Sequence, residues 1–455
     1  LEVEVSENPI AQYHVAVIGA GPAGLFAARE LALSGVRVAL LNRDIKPGGL
    51  AEYGIYPSKL RMKEGLRNQF RQIIALENID YYGNVLVGLK ADISLDDLRA
   101  MGFHALLVTV GAQSVKRLGL PGEDLSGVYH AKDIVYHYNL LPPYSESTFQ
   151  IGKRVAVIGV GNVMVDIARW LLEDKQVDEV TAVARRGPAE VKFDRKELES
   201  IVSYVDLPAL DAELRRVSPT MRALGQDPRE LKRTILEISK KAPPAKGDSC
   251  FRLHFLSSPV RILDDGFGRV SGLELEENNL LLDADGQVRA VPSGQLHRLN
   301  ADTVIFAIGD VVDGAIGLPV QNGEYVKNPQ PRFPVEGVTY EVFDPLRNEV
   351  VPDVFLGGWA RRPSAGLVGV ARRDAINAAH AVLPYLETMQ PDRTPVCDHL
   401  RAWLLGLDHP VVDKHDLQRL ELLERERARE LNLETYKFRS NQEMLSALGL
   451  VKTPD

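Results

Sequence analysis

Two stretches of the chain carry the same order of apolar and polar positions. In each, four apolar residues run into a glycine turn and then into a segment that is apolar at helical spacing. The first, His14–Gly24, reads HVAVIGAGPAG and is followed by LFAARELALSG and VRVALLN. A short apolar run bounded by glycine predicts a buried parallel strand. The next segment predicts a helix that stops at Gly35, where a residue without a Cβ takes the C′ position easily. Strand, helix and second strand make a βαβ unit. The second stretch, RVAVIGVGNVMVDIAR from Arg154 to Arg169, repeats the strand and helix, and the strand after it ends in EVTAVARRG. Near the C-terminus, KHDLQRLELLERERARELNLETYKF is charge-rich at helical spacing and predicts a solvated helix packed on the main body.

The glycine spacing gives these units a chemistry. Gly19, Gly21 and Gly24 complete a GxGxxG. The first glycine permits a tight turn, the second lets the backbone approach a pyrophosphate, and the third lets the helix pack close to the strand. The helix then presents its first amides to the phosphates. At the end of the second strand, where an acid usually binds the ribose, stands Asn42. It can still hydrogen-bond a ribose hydroxyl, or Asp44 takes over that contact. In the second unit Gly159 and Gly161 are present, but the third glycine position is Met164, which implies looser helix–strand packing. Arg185 and Arg186 occupy the place of the ribose acid. Two guanidinium groups there suit a 2′-phosphate and favour NADPH over NADH, the alternative being a pair of solvated arginines. A plain dehydrogenase needs one such unit. Two with different preferences point to a flavin–nicotinamide reductase, with FAD in the first and NADPH in the second.

Composition narrows the picture further. The 455 residues are 45% hydrophobic and 25% charged, a globular profile that suits two or three domains. No apolar run approaches the roughly 18 residues of a membrane span. The opening LEVEVSENPI is acidic and polar, so no signal peptide is expected, and the cytoplasm, or an organelle matrix after loss of a transit peptide, is the expected location. Cys250 and Cys397 stand far apart with no CxxC pair, which excludes a redox disulfide and a cysteine-ligated cluster. Any electrons must therefore travel through the flavin. The net charge of −8 argues against nucleic acid as a partner.

Further segments identify a family. GGLAEYGIYP (48–57), YYGNVLVG (81–88), VGAQSVKRLGLPGEDLSGV (110–128), ARRGPAEVKFDRKEL (184–198), GGWARRPSAGLVGVARRDA (357–375) and VVDKHDLQRLELLER all occur in order. Together they resemble the adrenodoxin-reductase-like NADPH:ferredoxin reductases over nearly the whole chain. The small subunit of glutamate synthase shares this core but carries a cysteine-rich N-terminal module.

The resemblance implies an α/β fold of two Rossmann-like three-layer domains. An FAD domain at 12–112 and 311–455 is interrupted by an NADPH domain at 113–310. It places Gly19, Gly21, Pro22, Ala23, Gly24, Asn42, Gly49, Leu50, Tyr53, Val85 and Gly111 around FAD. Trp359, Gly366, Leu367 and Val368 join them from the late motif, with a helix starting near Gly366 aimed at the flavin. It assigns Gly159, Gly161, Asn162 and Val163 to the NADPH pyrophosphate, and Arg185, Arg186 and Glu197 to its adenosine end. Lys59 stands where the family commonly has a histidine, and Ser200 where it commonly has a glutamate. Lys59 and Trp359 are thereby the residues expected nearest the flavin–nicotinamide chemistry.

The implied partner is an acidic ferredoxin-type iron–sulfur protein, received by a monomer. The spacing of Arg229, Lys232, Arg233 and Lys240 offers one basic face, and Lys59, Arg61, Lys63, Arg67 and Arg71 offer a second. A flavodoxin, quinone or monooxygenase system is the alternative acceptor. More distant alternatives are a flavin monooxygenase and a protein that binds both nucleotides without turnover.

Overall fold

The computed structural model describes residues 13–391 and 396–452. They divide into two compact units. One takes the described residues up to Lys116, Tyr136–Glu146 and the described residues from Gly309 onward; the other takes Arg117–Val135 and Ser147–Ile308. The inclusion of Tyr136–Glu146 in the first unit departs from the single uninterrupted insertion at 113–310. Its cause is apolar: Tyr136 and Leu141 are buried with Tyr53, and Leu50 and Tyr144 pack against them.

The first unit is built on a six-stranded sheet in the order Glu341–Asp344, Glu349–Leu356, Ala105–Val108, His14–Ile18, Arg37–Asn42, Ile79–Gly83. All neighbours pair in parallel except Glu341–Asp344, which is antiparallel to Glu349–Leu356. Strands buried on both faces need apolar residues at every position, which is why His14–Ile18 reads as a continuous run. Val15 and Val17 face a cluster with Leu25, Leu31, Ala378 and Val382, drawn from the helices Pro22–Leu33 and Val368–Glu387. Ala16 and Ile18 face the other way, toward Leu98, Leu400 and Leu404. The alanines Ala27, Ala28, Ala375, Ala378 and Ala379, all buried in that first cluster, keep helix surfaces thin enough to approach closely. The helix Lys414–Glu430 opens with a capping box between Asp413 and Asp416. It buries Leu417 and Leu420 and exposes much of its charge.

In the second unit five strands, Val128–His130, Thr303–Phe306, Arg154–Ile158, Glu179–Val183 and Cys250–His254, lie side by side in that order and all in parallel. A three-stranded antiparallel sheet, Ser257–Asp264, Val270–Leu282 and Val288–Leu299, follows the last of them.

A polar cluster ties the two sheets. His254 Nε2 lies 2.9 Å from His297 Nε2 and 3.1 Å from Ser257 Oγ. Glu213, on the helix Leu207–Ala223, accepts from the Phe255 amide at 2.6 Å and from Arg216 through two guanidinium nitrogens at 2.7 and 2.9 Å. Burial pushes His254 down to about 4, against the opposing pull of Glu213, so the ring is neutral in the fold at neutral pH.

Two outcomes follow from this packing. A Cβ at Gly24 would lie 1.8 Å from the Gly19 carbonyl oxygen and 2.7 Å from Thr109 Oγ1. Gly24→Ala should therefore lower the stability of the first unit by about 3 kcal/mol, read as an earlier urea midpoint of the apoprotein. The second concerns acid. An unfolded histidine titrates near 6.5, so between there and about 4 the unfolded chain takes up a proton that folded His254 refuses. Its contribution is present above pH 6.5 and is lost as pH falls through 4, in total roughly 3 kcal/mol. Denaturant titrations at pH 7 and pH 5 should show the part of it lost by pH 5, about 2 kcal/mol, and His254→Gln should flatten it.

Candidate functional site

In the first unit the sequence-predicted residues converge on one turn. Gly19 adopts φ +103°, where a Cβ would press on the Thr109 carbonyl at 2.8 Å. Gly21 caps the helix, Pro22 is its first residue, and Ala23 and Gly24 are buried behind it. Gly48 donates its N–H to the Ala20 carbonyl at 2.7 Å, and a Cβ on Gly49 would come within 3.0 Å of Gly21 Cα. The late motif reaches the same place: a Cβ on Gly358 would meet Ala23 Cβ at 2.5 Å. Three separate glycine segments thus leave a cradle of bare backbone at a helix N-terminus, which is what a pyrophosphate requires.

The long helix Val368–Glu387 begins two residues later than expected, with Leu367 as its N-cap. Gly366, at φ +73°, turns the chain into it. Leu367 and Val370 are 61% and 51% exposed, an apolar surface beside the positive end of a 20-residue helix. A flat apolar ring bearing negative charge fits both properties. Trp359 is half-buried, and its Nε1 donates to the Ala365 carbonyl at 3.1 Å, closing the loop that carries Gly366. Gly111, at φ +75°, follows the strand Ala105–Val108 by three residues. These groups can hold FAD.

Other predicted residues sit beneath the cradle. Asn42 Oδ1 accepts from the Ala20 amide at 2.9 Å, while Nδ2 donates to the Asp44 and Lys46 carbonyls at 2.8 and 3.2 Å. Asn42 therefore braces the turn with the atoms that the ribose reading required. Val85 and Tyr53 are 1% and 2% exposed, the former donating its N–H to the Asn42 carbonyl and the latter in the Tyr136 cluster. Leu50 packs at the rim of that cluster. Lys59 caps the helix Leu60–Ile74. Its N–H donates to the Tyr56 carbonyl at 3.0 Å and its carbonyl accepts from Lys63 at 3.2 Å.

Two supports were not read from the sequence. Thr109 Oγ1 donates to the Ile18 and Gly19 carbonyls at 3.0 and 2.8 Å, holding the turn from behind. Asp374, paired with the buried Arg361, accepts the Gly358 N–H at 2.8 Å and fixes the late motif. The quoted GGWARR and ARRD segments contained that pair, but nothing local joined its two members.

The basic run Lys59, Arg61, Lys63, Arg67 and Arg71 is corrected in part: Lys63, Arg67 and Arg71 are engaged within the unit, while Arg61 is exposed. Lys63 is 3% exposed and donates to Asn139 Oδ1 at 2.6 Å and to the Glu52 carbonyl at 3.1 Å. Burial, assisted by Lys437, pushes its ammonium down to about 7. Arg67 forks onto Glu52 at 2.6 and 2.7 Å, and Arg71 pairs with Glu64 and Glu421 at 2.7 and 2.8 Å. Burial alone would raise Glu52, but Lys437, Arg67 and Lys46 outweigh it and hold the carboxyl well below the usual range. These cations serve an internal network.

In the second unit Gly159 has φ +123°, and a Cβ there would strike the Ala307 carbonyl at 2.3 Å. Gly161 caps the helix Asn162–Arg169, and Met164 is fully buried where a third glycine would stand. Val163 is 44% exposed on the first turn of that helix. Asn162 is engaged by Asp194: its Nδ2 donates to Asp194 Oδ2 and its Oδ1 accepts from the Asp194 amide, both at 2.7 Å.

Beyond the strand Glu179–Val183, Arg185 is exposed and Arg186 half-buried. Neither makes an ion pair among the described residues. Their backbone is clamped instead. Asn278 Nδ2 donates to the Arg185 carbonyl at 2.9 Å, and the Leu256 amide donates to the Arg186 carbonyl at 3.2 Å. Glu197 lies on the four-residue helix Arg195–Leu198, and Ser200 Oγ turns back onto its carbonyl at 2.8 Å. These groups can hold a phosphorylated dinucleotide. On the Glu230–Ser239 helix Lys232 pairs with Asp211 at 2.5 Å and Arg233 with Asp227 at 2.7 Å, while the flanking Arg229 and Lys240 make no ion pair among the described residues.

Comparison with known proteins agrees with this geometry. The pyridine nucleotide-disulphide oxidoreductase family model matches residues 13–203. The mitochondrial NADPH:adrenodoxin oxidoreductase of Arabidopsis thaliana is 30% identical over 390 residues, 78% of this chain and 78% of that protein. NADPH-ferredoxin reductase FprA of Mycobacterium leprae (strain TN) is 29% identical over 447 residues, 91% of this chain and 93% of its own. Mycobacterium tuberculosis FprA, solved in complex with NADPH, superposes with a TM-score of 0.78 at 25% identity, covering 96% of this chain and 99% of that one. By two glycine turns on parallel sheets and by likeness along most of its length, the chain belongs to the NADPH:adrenodoxin and NADPH-ferredoxin reductase family.

Proposed function

We propose that the protein is an FAD-dependent NADPH:ferredoxin oxidoreductase. The observation that carries this reading is the pair of dissimilar nucleotide turns: a cradle beside an apolar helix start in one unit, and two arginines past the strand end in the other that make no ion pair among the described residues. When bound, the flavin supplies acceptance of a hydride from NADPH and release of electrons one at a time. The chain's own task is to hold and orient, since hydride transfer needs positioning and no nucleophile. Glycine backbone amides receive the two pyrophosphates. The start of the Val368–Glu387 helix favours negative charge on the reduced ring. Arg185 and Arg186 select the 2′-phosphate.

The partner is an iron–sulfur protein, and no described helix is long and apolar enough to cross a membrane. In our reading that partner is acidic and meets Arg229 and Lys240, the members of the basic face that make no ion pair among the described residues. Lys232 and Arg233 already have acidic neighbours, so the docking field is smaller than the sequence spacing alone suggests.

Two measurements test this. Arg186→Ala should raise KM for NADPH about tenfold and leave NADH use nearly unchanged, because one charge-assisted phosphate contact is removed. Equal losses with both nucleotides would reject the assignment. Anaerobic reduction of a ferredoxin by NADPH, run beside ferricyanide and a quinone, tests the acceptor. Rapid ferredoxin reduction that slows with salt, and slows again in Arg229→Ala/Lys240→Ala, supports the partner and its docking face. Rapid ferricyanide reduction with sluggish transfer to several ferredoxins keeps the flavin chemistry and points to another acceptor.

A further inference from the structure

The second glycine turn carries a cation that the nucleotide motif does not call for. Lys192 lies between the Arg185–Arg186 pair and the Arg195–Leu198 helix. Its amide donates to the Val160 carbonyl at 2.9 Å, inside the turn, and Lys192 pairs with Gly161 as an isolated parallel bridge. Residues paired across a bridge send their side chains to the same face of the ladder. At Gly161 that face is open: a Cβ there would meet nothing within 4 Å. In such turns the second glycine is where the backbone approaches a pyrophosphate. The Lys192 side chain therefore leaves on the side from which the phosphates arrive. It is exposed, and its ammonium makes no ion pair among the described residues.

The surrounding charge makes this cation matter. Asn162, the first helical residue after Gly161, is held in both directions by Asp194 at 2.7 Å. A carboxylate thus stands beside the turn, where it repels a diphosphate. A compact ammonium on a flexible stem, anchored at the turn's own backbone, offsets that repulsion.

We infer that Lys192 is a pyrophosphate-binding residue of the NADPH site, compensating Asp194. The inference rests on the reading of this unit as the NADPH site. Its target is the diphosphate common to NADP+ and NAD+, whereas the target of Arg186 is the 2′-phosphate of NADP+ alone. That difference separates the two residues experimentally.

Equilibrium titration of the FAD-loaded protein with NADP+ and with NAD+ is the test, using non-reacting oxidised nucleotides so that turnover plays no part. Lys192→Met should raise Kd for both by a similar factor, about five- to tenfold for one charge-assisted phosphate contact, and should reduce the salt dependence of each. Lys192→Arg should restore most of the affinity, and Asp194→Asn should tighten both nucleotides. An unchanged Kd in Lys192→Met, alongside a loss confined to NADP+ in Arg186→Ala, overturns the lysine assignment and keeps the NADPH site. A Lys192→Met loss confined to NADP+ also overturns it, by moving the contact to the 2′-phosphate. Wild-type protein that binds neither nucleotide overturns the NADPH reading and the role of Lys192 with it.

Discussion

The first unit depends on how closely a helix can approach the strand that feeds it. At Gly24 the helix Pro22–Leu33 lies against the Gly19 carbonyl with no room for a single carbon. That approach sets where the helix N-terminus sits. The other parts of the cradle are then built around its position: Gly48 bonded to Ala20, Gly49 against Gly21, Gly358 against Ala23, and Thr109 behind Gly19. Except for the Thr109 hydroxyl, each contact is made by backbone or by a residue lacking side-chain bulk, because the turn leaves no space for more. Asn42 belongs to the same construction. Its side chain fastens Ala20 to the loop beyond the second strand.

The second unit meets the same requirement differently. Met164 fills the volume beneath the helix, so the third position contributes packing where the first unit has close approach. The constraint survives at Gly159, whose Cβ would strike the Ala307 carbonyl. Only the strand-to-helix turn itself, then, is common to both units. The conserved physics is a bare turn at a helix start, and helix–strand spacing is free to vary once that turn is formed.

What was legible in the sequence is what is decided locally. A four-residue apolar run, a glycine needing positive φ and a helix beginning directly after it are all fixed within about ten residues by sterics and period. The parallel strands and both turns were read on that basis. Segments placed by distant contacts were not. Tyr136–Glu146 joins the first unit through Tyr53, and the three-stranded sheet forms by pairing with itself. Charge was read least well. Spacing of three and four identifies a helix face but not its neighbours. Lys63 therefore looked like surface until Asn139 and Glu52 enclosed it, and Lys232 looked unpaired until Asp211, on a different helix, reached it.

That last failure shows how to recognise a cation that is there for a ligand. The first unit's Lys46, Arg67, Arg71 and Lys437 all end on carboxylates of the same unit. A group so paired has exchanged water for a fixed partner and has little field left to offer an incoming anion. Arg185, Arg186 and Lys192 instead stand at the second turn without ion pairs among the described residues, each with its backbone held by a hydrogen bond to another part of the unit. An exposed cation of this kind contributes almost nothing to folding. Held at a fixed origin and left unneutralised, it retains its attraction for a ligand carrying several negative charges, and binding is the only step in which that attraction is used.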